Sequence, residues 1–148
     1  MKLNTDYLTR SINALESAYN HLSRQTPDEE VADLSGIVLY DIFRAACVKE
    51  FEIILEQCGS ILRKRLRPYM ASNRQADRLT FNNTFRRSAK HGLITVEACE
   101  RWLGYREIRN DTAHHYGANY AEAALGVLSG FIEDAKHIVE VLATPFDE

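Results

Sequence analysis

The sequence predicts an all-α fold, an antiparallel up-and-down bundle of about five helices. Apolar residues recur at intervals of three and four along most of the chain, which is the spacing of one face of an α-helix. No segment alternates apolar and polar residues for long enough to predict a strand. The 148 residues include only seven glycines and three prolines, a composition that disfavours a turn-rich β fold. We therefore expect one helical domain over residues 1–148, with a tail, residues 143–148, that frays.

The first half of the chain predicts two helices. The first covers about residues 4–23 and ends before Pro27, because proline stops a helix. Its apolar stripe is expected to consist of Leu8, Ile12, Leu15, Tyr19 and Leu22. The second covers about residues 28–67, since the same spacing continues without a break. Gly36 and Gly59 lie inside this long predicted helix, and either is a candidate position for a kink.

The second half of the chain predicts three further helices after a polar, basic connector, residues 69–79. One covers about residues 82–91, and Gly92 is its expected left-handed C-cap. The next begins after Thr95, whose hydroxyl is suited to accept a hydrogen bond from the first turn. The last runs from about 119 to 142, begins with a capping box and carries a broad apolar face.

The net charge of −3 hides a segregation of charge along the chain. Residues 63–109 contain 12 of the 18 basic residues and four acidic ones, a formal charge of +8, and the remainder carries −11. A segregated basic region can attract a polyanion such as RNA, although solvated helix faces have the same composition. The candidate RNA-binding residues are Arg86, Arg87, Arg101 and Arg106.

The composition also predicts what the protein lacks. No apolar run approaches the roughly 18–20 residues that span a membrane, and the N-terminus has no apolar signal core, so we expect a cytoplasmic protein without membrane association. Cys47, Cys58 and Cys99 occupy core-like helical positions and form no CxxC pair, which predicts buried, reduced thiols. Histidine, cysteine and carboxylate residues show no convincing ligand spacing, so neither a metal nor a cofactor is expected.

The stretch RNDTAHHYG, residues 109–117, packs an arginine, an asparagine, an aspartate, two adjacent histidines and a tyrosine into eight positions. Arg109 and His114 are five residues apart, so they converge only where the helix ends, bulges or unwinds, and Gly117 favours an end. Asn110 lies four residues before His114, so its amide can orient the imidazole.

Arginine and histidine side by side suit chemistry on phosphate esters. A guanidinium offers a planar fork of donors to phosphate oxygens, and an imidazole transfers protons near neutral pH. In RNA the 2′-hydroxyl lies next to the scissile phosphate, so one base and one electrostatic stabiliser can start cleavage without a metal. The alternative is structural, because histidine and arginine near a helix end also stabilise its last carbonyl groups.

The segment RNDTAHHY, Arg109 to Tyr116, resembles the R-x4-H-x-Y motif of the HEPN superfamily, in the branch that forms the toxin of HEPN/minimal nucleotidyltransferase toxin–antitoxin pairs. The resemblance centres on a motif region, residues 95–120, and extends over roughly residues 50–142. It includes the segments FEIILEQCGSILRKRL, FNNTFRRSAKHGLIT and WLGYREIRNDTAHHY. Within the motif, Arg109, Asn110, His114 and Tyr116 all match.

The resemblance implies a helical bundle that forms a homodimer and brings two motifs together in a basic cleft. It implies a metal-independent endoribonuclease with Arg109 and His114 as the catalytic pair. It also implies a partner, a small nucleotidyltransferase antitoxin that transfers AMP to Tyr116 and so silences the enzyme. A related branch consists of substrate-binding subunits of nucleotidyltransferases with no activity of their own. That binding role and a plain helical dimerisation domain are the alternatives to the ribonuclease.

Overall fold

The computed structural model describes residues 3–24, 30–31, 34–112 and 118–145. The helices within these residues are α1 (Asp6–Arg24), α2 (Gly36–Arg65), α3 (Asn73–Asp77), α4 (Phe81–Lys90), α5 (Val96–Thr112) and α6 (Ala118–Ala143). A minimal antiparallel hairpin precedes α2, in which β1 (Glu30–Val31) pairs with β2 (Leu34–Ser35). Glu30 lies opposite Ser35, and Val31 opposite Leu34. The prediction of an all-α bundle is confirmed.

The helices enclose one hydrophobic core. Helix α2 packs against α1, α4 and α6, while α5 packs against α4 and α6. Aromatic rings from four helices meet at the centre: Phe51 of α2 lies 4.7 Å from Phe131 of α6 between ring centroids, and Phe85 of α4 lies 4.8 Å from Trp102 of α5. All four rings are almost completely buried, so this contact fixes α5 against the rest of the bundle.

The predicted boundaries of the second helix were wrong at its start. Helix α2 begins at Gly36 rather than near residue 28, because β1 (Glu30–Val31) and β2 (Leu34–Ser35) precede it. Each strand has only two residues, too few to show the alternation that predicts a strand, so the helical spacing of Val31, Leu34 and Val38 extended the prediction through them. Gly36 is the first residue of α2 and so is not a position inside the helix. Gly59 lies inside α2, and its lack of a side chain leaves room for the Phe81 ring, whose Cδ2 atom would lie 3.1 Å from an added Cβ.

The predicted connector, residues 69–79, contains the additional helix α3, so the bundle has six helices within the described residues rather than about five. A single 3₁₀ turn, Arg67–Tyr69, ends the α2 segment, with Pro68 in its first positions. Ser72 then accepts a hydrogen bond from the Gln75 amide and caps α3. A helix of five residues is too short to show a recognisable apolar period, so only its cap could have predicted it.

Both predicted helix caps around residues 92–95 are confirmed. Gly92 has a φ of 74°, its amide donates to the Ala89 carbonyl at 3.1 Å, and the amide of Leu93 donates to the Ser88 carbonyl at 2.9 Å. These two bonds form a Schellman motif at the end of α4. Thr95 Oγ1 accepts from the Ala98 amide at 3.0 Å and begins α5.

The predicted core thiols are also confirmed, because Cys47, Cys58 and Cys99 are free and buried. Burial raises the pKa of Cys47 to about 11 and raises the pKa of Cys58 further. The described residues contain no group of three or more metal-ligating side chains. Nor do they contain a helix that is both long and apolar enough to cross a membrane.

Candidate functional site

Arg109 lies in the last turn of α5 and faces α2. Its Nη2 atom lies 3.3 Å from Oε2 of Glu52, and the two side chains are 33% and 24% exposed. The guanidinium therefore sits at the edge of the bundle, where a carboxylate holds it and solvent still reaches it. Asn110 is exposed on the next position of α5. The predicted partners His114 and Tyr116 lie outside the described residues.

A second cross-helix ion pair lies beside the first. Arg106 Nη1 donates to Glu56 Oε1 at 2.6 Å, and its Cζ atom lies 5.1 Å from the centroid of the Phe81 ring. Arg106 and Arg109 are three residues apart on α5, and Glu52 and Glu56 are four apart on α2. Because the two helices run antiparallel, each arginine meets the carboxylate at its own level. The two ion pairs join α5 to α2 on the side that Arg109 faces.

Tyr120, from the first turn of α6, is the third side chain of this region. Burial, and then the negative charge of Glu52, raise the pKa of its phenol to about 12, while the positive charge of Arg109 acts in the opposite direction. The phenol is therefore neutral at physiological pH. Sequence reasoning found neither Glu52 nor Tyr120. The available signal was the pair of acidic residues four apart on the predicted central helix, which had no assigned partner.

A surface hollow of about 500 Å³ extends from Glu52 along the outer side of α2. It is lined by Asp41, Arg44, Ala45, Val48, Lys49, Glu52 and Ala121. Arg44 reaches across to α6, where its Nη2 atom lies 3.3 Å from Oε1 of Glu122. The hollow thus joins the surroundings of Arg109 to the first turns of α2.

Arg101, a predicted RNA-binding residue, is part of a polar cluster between α5 and α6. Its Nε and Nη2 atoms donate to the two carboxylate oxygens of Asp134, both at 2.9 Å. The Tyr105 hydroxyl donates to Asp134 Oδ2 at 2.6 Å. Burial and Asp134 both raise the pKa of Tyr105 well above the ordinary tyrosine value. The cluster fastens α5 to α6, so Arg101 has a structural use here.

The other two predicted RNA-binding residues lie elsewhere, on α4. Arg86 and Arg87 line a hollow of about 270 Å³ together with Leu79, Asn83 and Lys90. Arg86 Nη1 donates to Asn83 Oδ1 at 3.2 Å. The structure therefore brings Arg109 together with Glu52 and Tyr120, and it places Arg86 and Arg87 at a separate hollow on α4.

Comparison with known proteins agrees with this architecture. A family model described as "Nucleotidyltransferase substrate binding protein like" matches residues 3–144. A Haemophilus influenzae protein named "Probable ribonuclease HepT" is 23% identical over 135 residues, which is 89% of this chain and 91% of the relative. A solved H. influenzae structure, described as showing the fold of a substrate-binding domain of a nucleotidyltransferase, covers 95% of this chain and 100% of its own with a TM-score of 0.77. At 20% identity, that likeness is one of fold.

Proposed function

This chain belongs to the "Nucleotidyltransferase substrate binding protein like" family, and we propose that it is the toxin of a HEPN/minimal nucleotidyltransferase pair. In this proposal it acts as a metal-independent endoribonuclease. The observation that carries the proposal is the placement of Arg109. It lies in the last turn of α5, is held by Glu52 and remains one-third exposed, five residues before His114 in the complete R-x4-H-x-Y motif. The name of the H. influenzae relative supports the same activity.

The proposed reaction uses the 2′-hydroxyl of the RNA as nucleophile. His114 takes the proton from this hydroxyl, the 2′-oxygen bonds to phosphorus, and the bond from phosphorus to the 5′-oxygen breaks. The leaving oxygen takes a proton, so the products are a 2′,3′-cyclic phosphate and a 5′-hydroxyl. Arg109 stabilises the additional negative charge on the phosphoryl oxygens. Glu52 holds the guanidinium in its direction.

Assembly into a homodimer completes this proposal. Two facing motifs form a longer basic cleft than one, and His114 of the partner subunit can supply the proton for the leaving oxygen. The first turns of α2 support such an interface because they expose Ile37, Val38, Tyr40 and Ile42. Exposed apolar side chains grouped so closely favour contact with another protein surface.

The proposed control of the enzyme is AMP transfer to Tyr116 by a cognate nucleotidyltransferase. A phosphodiester two residues beyond His114 adds negative charge and bulk where an RNA phosphate would bind, so it repels and blocks the substrate. The family description supports a nucleotidyltransferase as partner.

One observation favours a second function. The family description and the solved H. influenzae structure both refer to substrate binding for a nucleotidyltransferase. In that case the chain would hold a substrate or be the target of its partner, and Arg109 would bind an anionic group without cleaving RNA.

Incubation of the purified protein with total RNA in EDTA distinguishes the two functions. The proposed ribonuclease cleaves RNA without a divalent metal and leaves cyclic phosphate ends, and His114→Ala abolishes the cleavage. His137→Ala is the matched control, because that histidine is half-exposed on α6 and pairs only loosely with Glu140, at 3.7 Å. Absence of cleavage by the wild-type protein, together with a stable complex with the nucleotidyltransferase, would favour the binding subunit.

A further inference from the structure

The positive charge of the chain is concentrated more narrowly than the count over residues 63–109 indicates. Residues 63–90 contain nine basic residues and one acidic residue, Asp77, a formal charge of +8. The three arginines of α5, in contrast, each lie against a carboxylate: Arg101 on Asp134, Arg106 on Glu56 and Arg109 on Glu52. The net excess of positive charge therefore belongs to the end of α2, α3 and α4.

The single acidic residue of this segment does little to neutralise it. Asp77 is bound by Arg67, which donates to it through three hydrogen bonds of 2.9 to 3.1 Å. The remaining basic residues include four exposed ones, Lys64, Arg74, Arg78 and Arg86, and a fifth, Lys90, at the end of α4. We call the surface formed by residues 63–90 the basic face.

The basic face has a defined shape. The Tyr69 ring stacks on His91 at 4.1 Å between centroids and 7° between planes, which joins the 3₁₀ turn to the end of α4. Arg65 is 8% exposed, and its Cζ atom lies 5.4 Å from the centroid of the same tyrosine ring. The Arg67–Asp77 bonds join this turn to α3. These contacts connect the turn to both helices, so they fix the backbone that carries the cations.

The hollow on α4 gives this face a place for a phosphate group. Arg86, Arg87 and Lys90 line it with the amide of Asn83, and its volume is about 270 Å³. Arg86 Nη1 donates to Asn83 Oδ1 at 3.2 Å, so a neutral amide rather than a carboxylate orients this guanidinium. The hydrogen bond therefore adds no negative charge beside the hollow.

The chemistry of the basic face favours nucleic acid over a protein partner. A stable protein interface has an apolar centre. Tyr69, at 43%, is the one exposed large apolar side chain of residues 63–90. Dense positive charge without a compensating apolar patch instead suits the repeated phosphates of a nucleic acid backbone.

We infer that the basic face is a second RNA-binding surface, which holds the backbone of single-stranded RNA at a distance from the Arg109 site. Arg63 marks its near edge and lies 11 residues beyond Glu52 on α2, which corresponds to about 16 Å along the helix. This distance is short enough for one RNA strand to reach both surfaces. The inference takes its ligand class, single-stranded RNA, from the proposed function.

The test measures the salt dependence of RNA binding in a His114→Ala background, which prevents cleavage. The probe is a fluorescent single-stranded oligoribonucleotide, titrated between about 50 and 200 mM salt. Arg86→Gln/Lys90→Gln removes two exposed charges from α4, whereas the control Arg10→Gln/Arg24→Gln removes two exposed charges from α1. None of these changes alters a buried group.

We expect the α4 double variant to bind RNA about tenfold more weakly and to lower the slope of log affinity against log salt by about 1.4, since each phosphate contact of a single strand contributes about 0.7. The α1 control should keep the wild-type affinity and slope. An unchanged slope in the α4 variant, or equal losses in both variants, would overturn the inference. So would normal RNA binding with loss of binding to the nucleotidyltransferase, because the face would then belong to that partner.

This design also separates the inference from the proposed function. RNA that binds with the expected slope but is not cleaved by the wild-type protein supports the basic face and contradicts the ribonuclease. Cleavage that continues at wild-type rate and wild-type salt dependence when Arg86→Gln/Lys90→Gln is made in the protein that retains His114 supports the ribonuclease and contradicts the basic face.

Discussion

Replacement of Asp134 by alanine should destabilise the protein by about 3 kcal/mol, because this carboxylate fastens the helix that carries Arg109. Asp134 is 9% exposed and accepts bonds from Arg101 and from the Tyr105 hydroxyl. Tyr105 is 5% exposed, so Asp134→Ala leaves a buried hydroxyl without its acceptor, which costs about 1–3 kcal/mol. The Arg101 side chain is 51% exposed and returns to water, so the loss of its ion pair adds only about 0–1 kcal/mol.

The assay is urea and thermal unfolding followed by circular dichroism at one protein concentration, since a dimer would make stability depend on concentration. For a chain of this size the expected loss corresponds to a fall in Tm of about 6–12 °C. Arg101→Ala and Tyr105→Phe are the matched controls, and each should cost about 1 kcal/mol, because each leaves Asp134 with its other partner. A loss below about 0.5 kcal/mol for Asp134→Ala would refute this reasoning. A loss for Arg101→Ala as large as that for Asp134→Ala would also refute it, because the ion pair rather than the buried hydroxyl would then dominate.

Four further outcomes are expected. Arg109→Ala should lower RNA cleavage by about 10²–10³-fold with an unchanged helical circular dichroism spectrum, and full activity in this variant would remove its proposed role. Tyr116→Phe should remain as toxic with the nucleotidyltransferase and ATP as without them, whereas the wild type should gain AMP on this residue by mass spectrometry; normal neutralisation of the variant would contradict the modification site. The pKa of Tyr120 is raised from 10.0 to about 12, so the contribution of this neutral phenol to stability is complete below pH 10 and is lost as the pH rises towards 12. Tm measured from pH 9 to 11.5 should therefore fall less in Tyr120→Phe than in the wild type. An equal fall of Tm in both proteins would count against the raised pKa. Gly92→Ala should lower the free energy of unfolding by about 1 kcal/mol, because the φ of Gly92 is 74°. Gly104→Ala is the control and should be neutral or stabilising, because Gly104 lies in a helix and an added Cβ has no atom within 4 Å. Equal effects of the two changes in denaturant melts would contradict the backbone strain assigned to Gly92.

Local chemistry was sufficient to predict several parts of the fold. The apolar period predicted the long helices, and single residues at their ends, Thr95 and Gly92, predicted caps that the structure contains. These features depend on neighbours within a few positions, so the sequence carries them directly. The paired strands at residues 30–35 and the helix α3 were not predicted, because two or five residues are too few to show a period.

For the candidate site, too, one part could be predicted from the sequence and another part depended on the tertiary structure. The sequence by itself determined which residue types stand in the motif, Arg109, His114 and Tyr116, and at what spacing, and the family resemblance centres on that motif. Only the tertiary structure decided what surrounds Arg109, because Glu52 is 57 positions away in the chain and no local rule pairs them.

The distribution of charge shows the physical reason for this division. Along the chain, residues 63–109 read as one basic region. The count alone already assigns the whole excess of +8 to residues 63–90, because residues 91–109 contain three arginines and three glutamates. The folded bundle decides which carboxylate each arginine of α5 meets, and Asp134, Glu56 and Glu52 all come from other helices. A charge count follows the order of the residues, whereas an electrostatic field depends on distances between charges, and packing of the helices sets those distances.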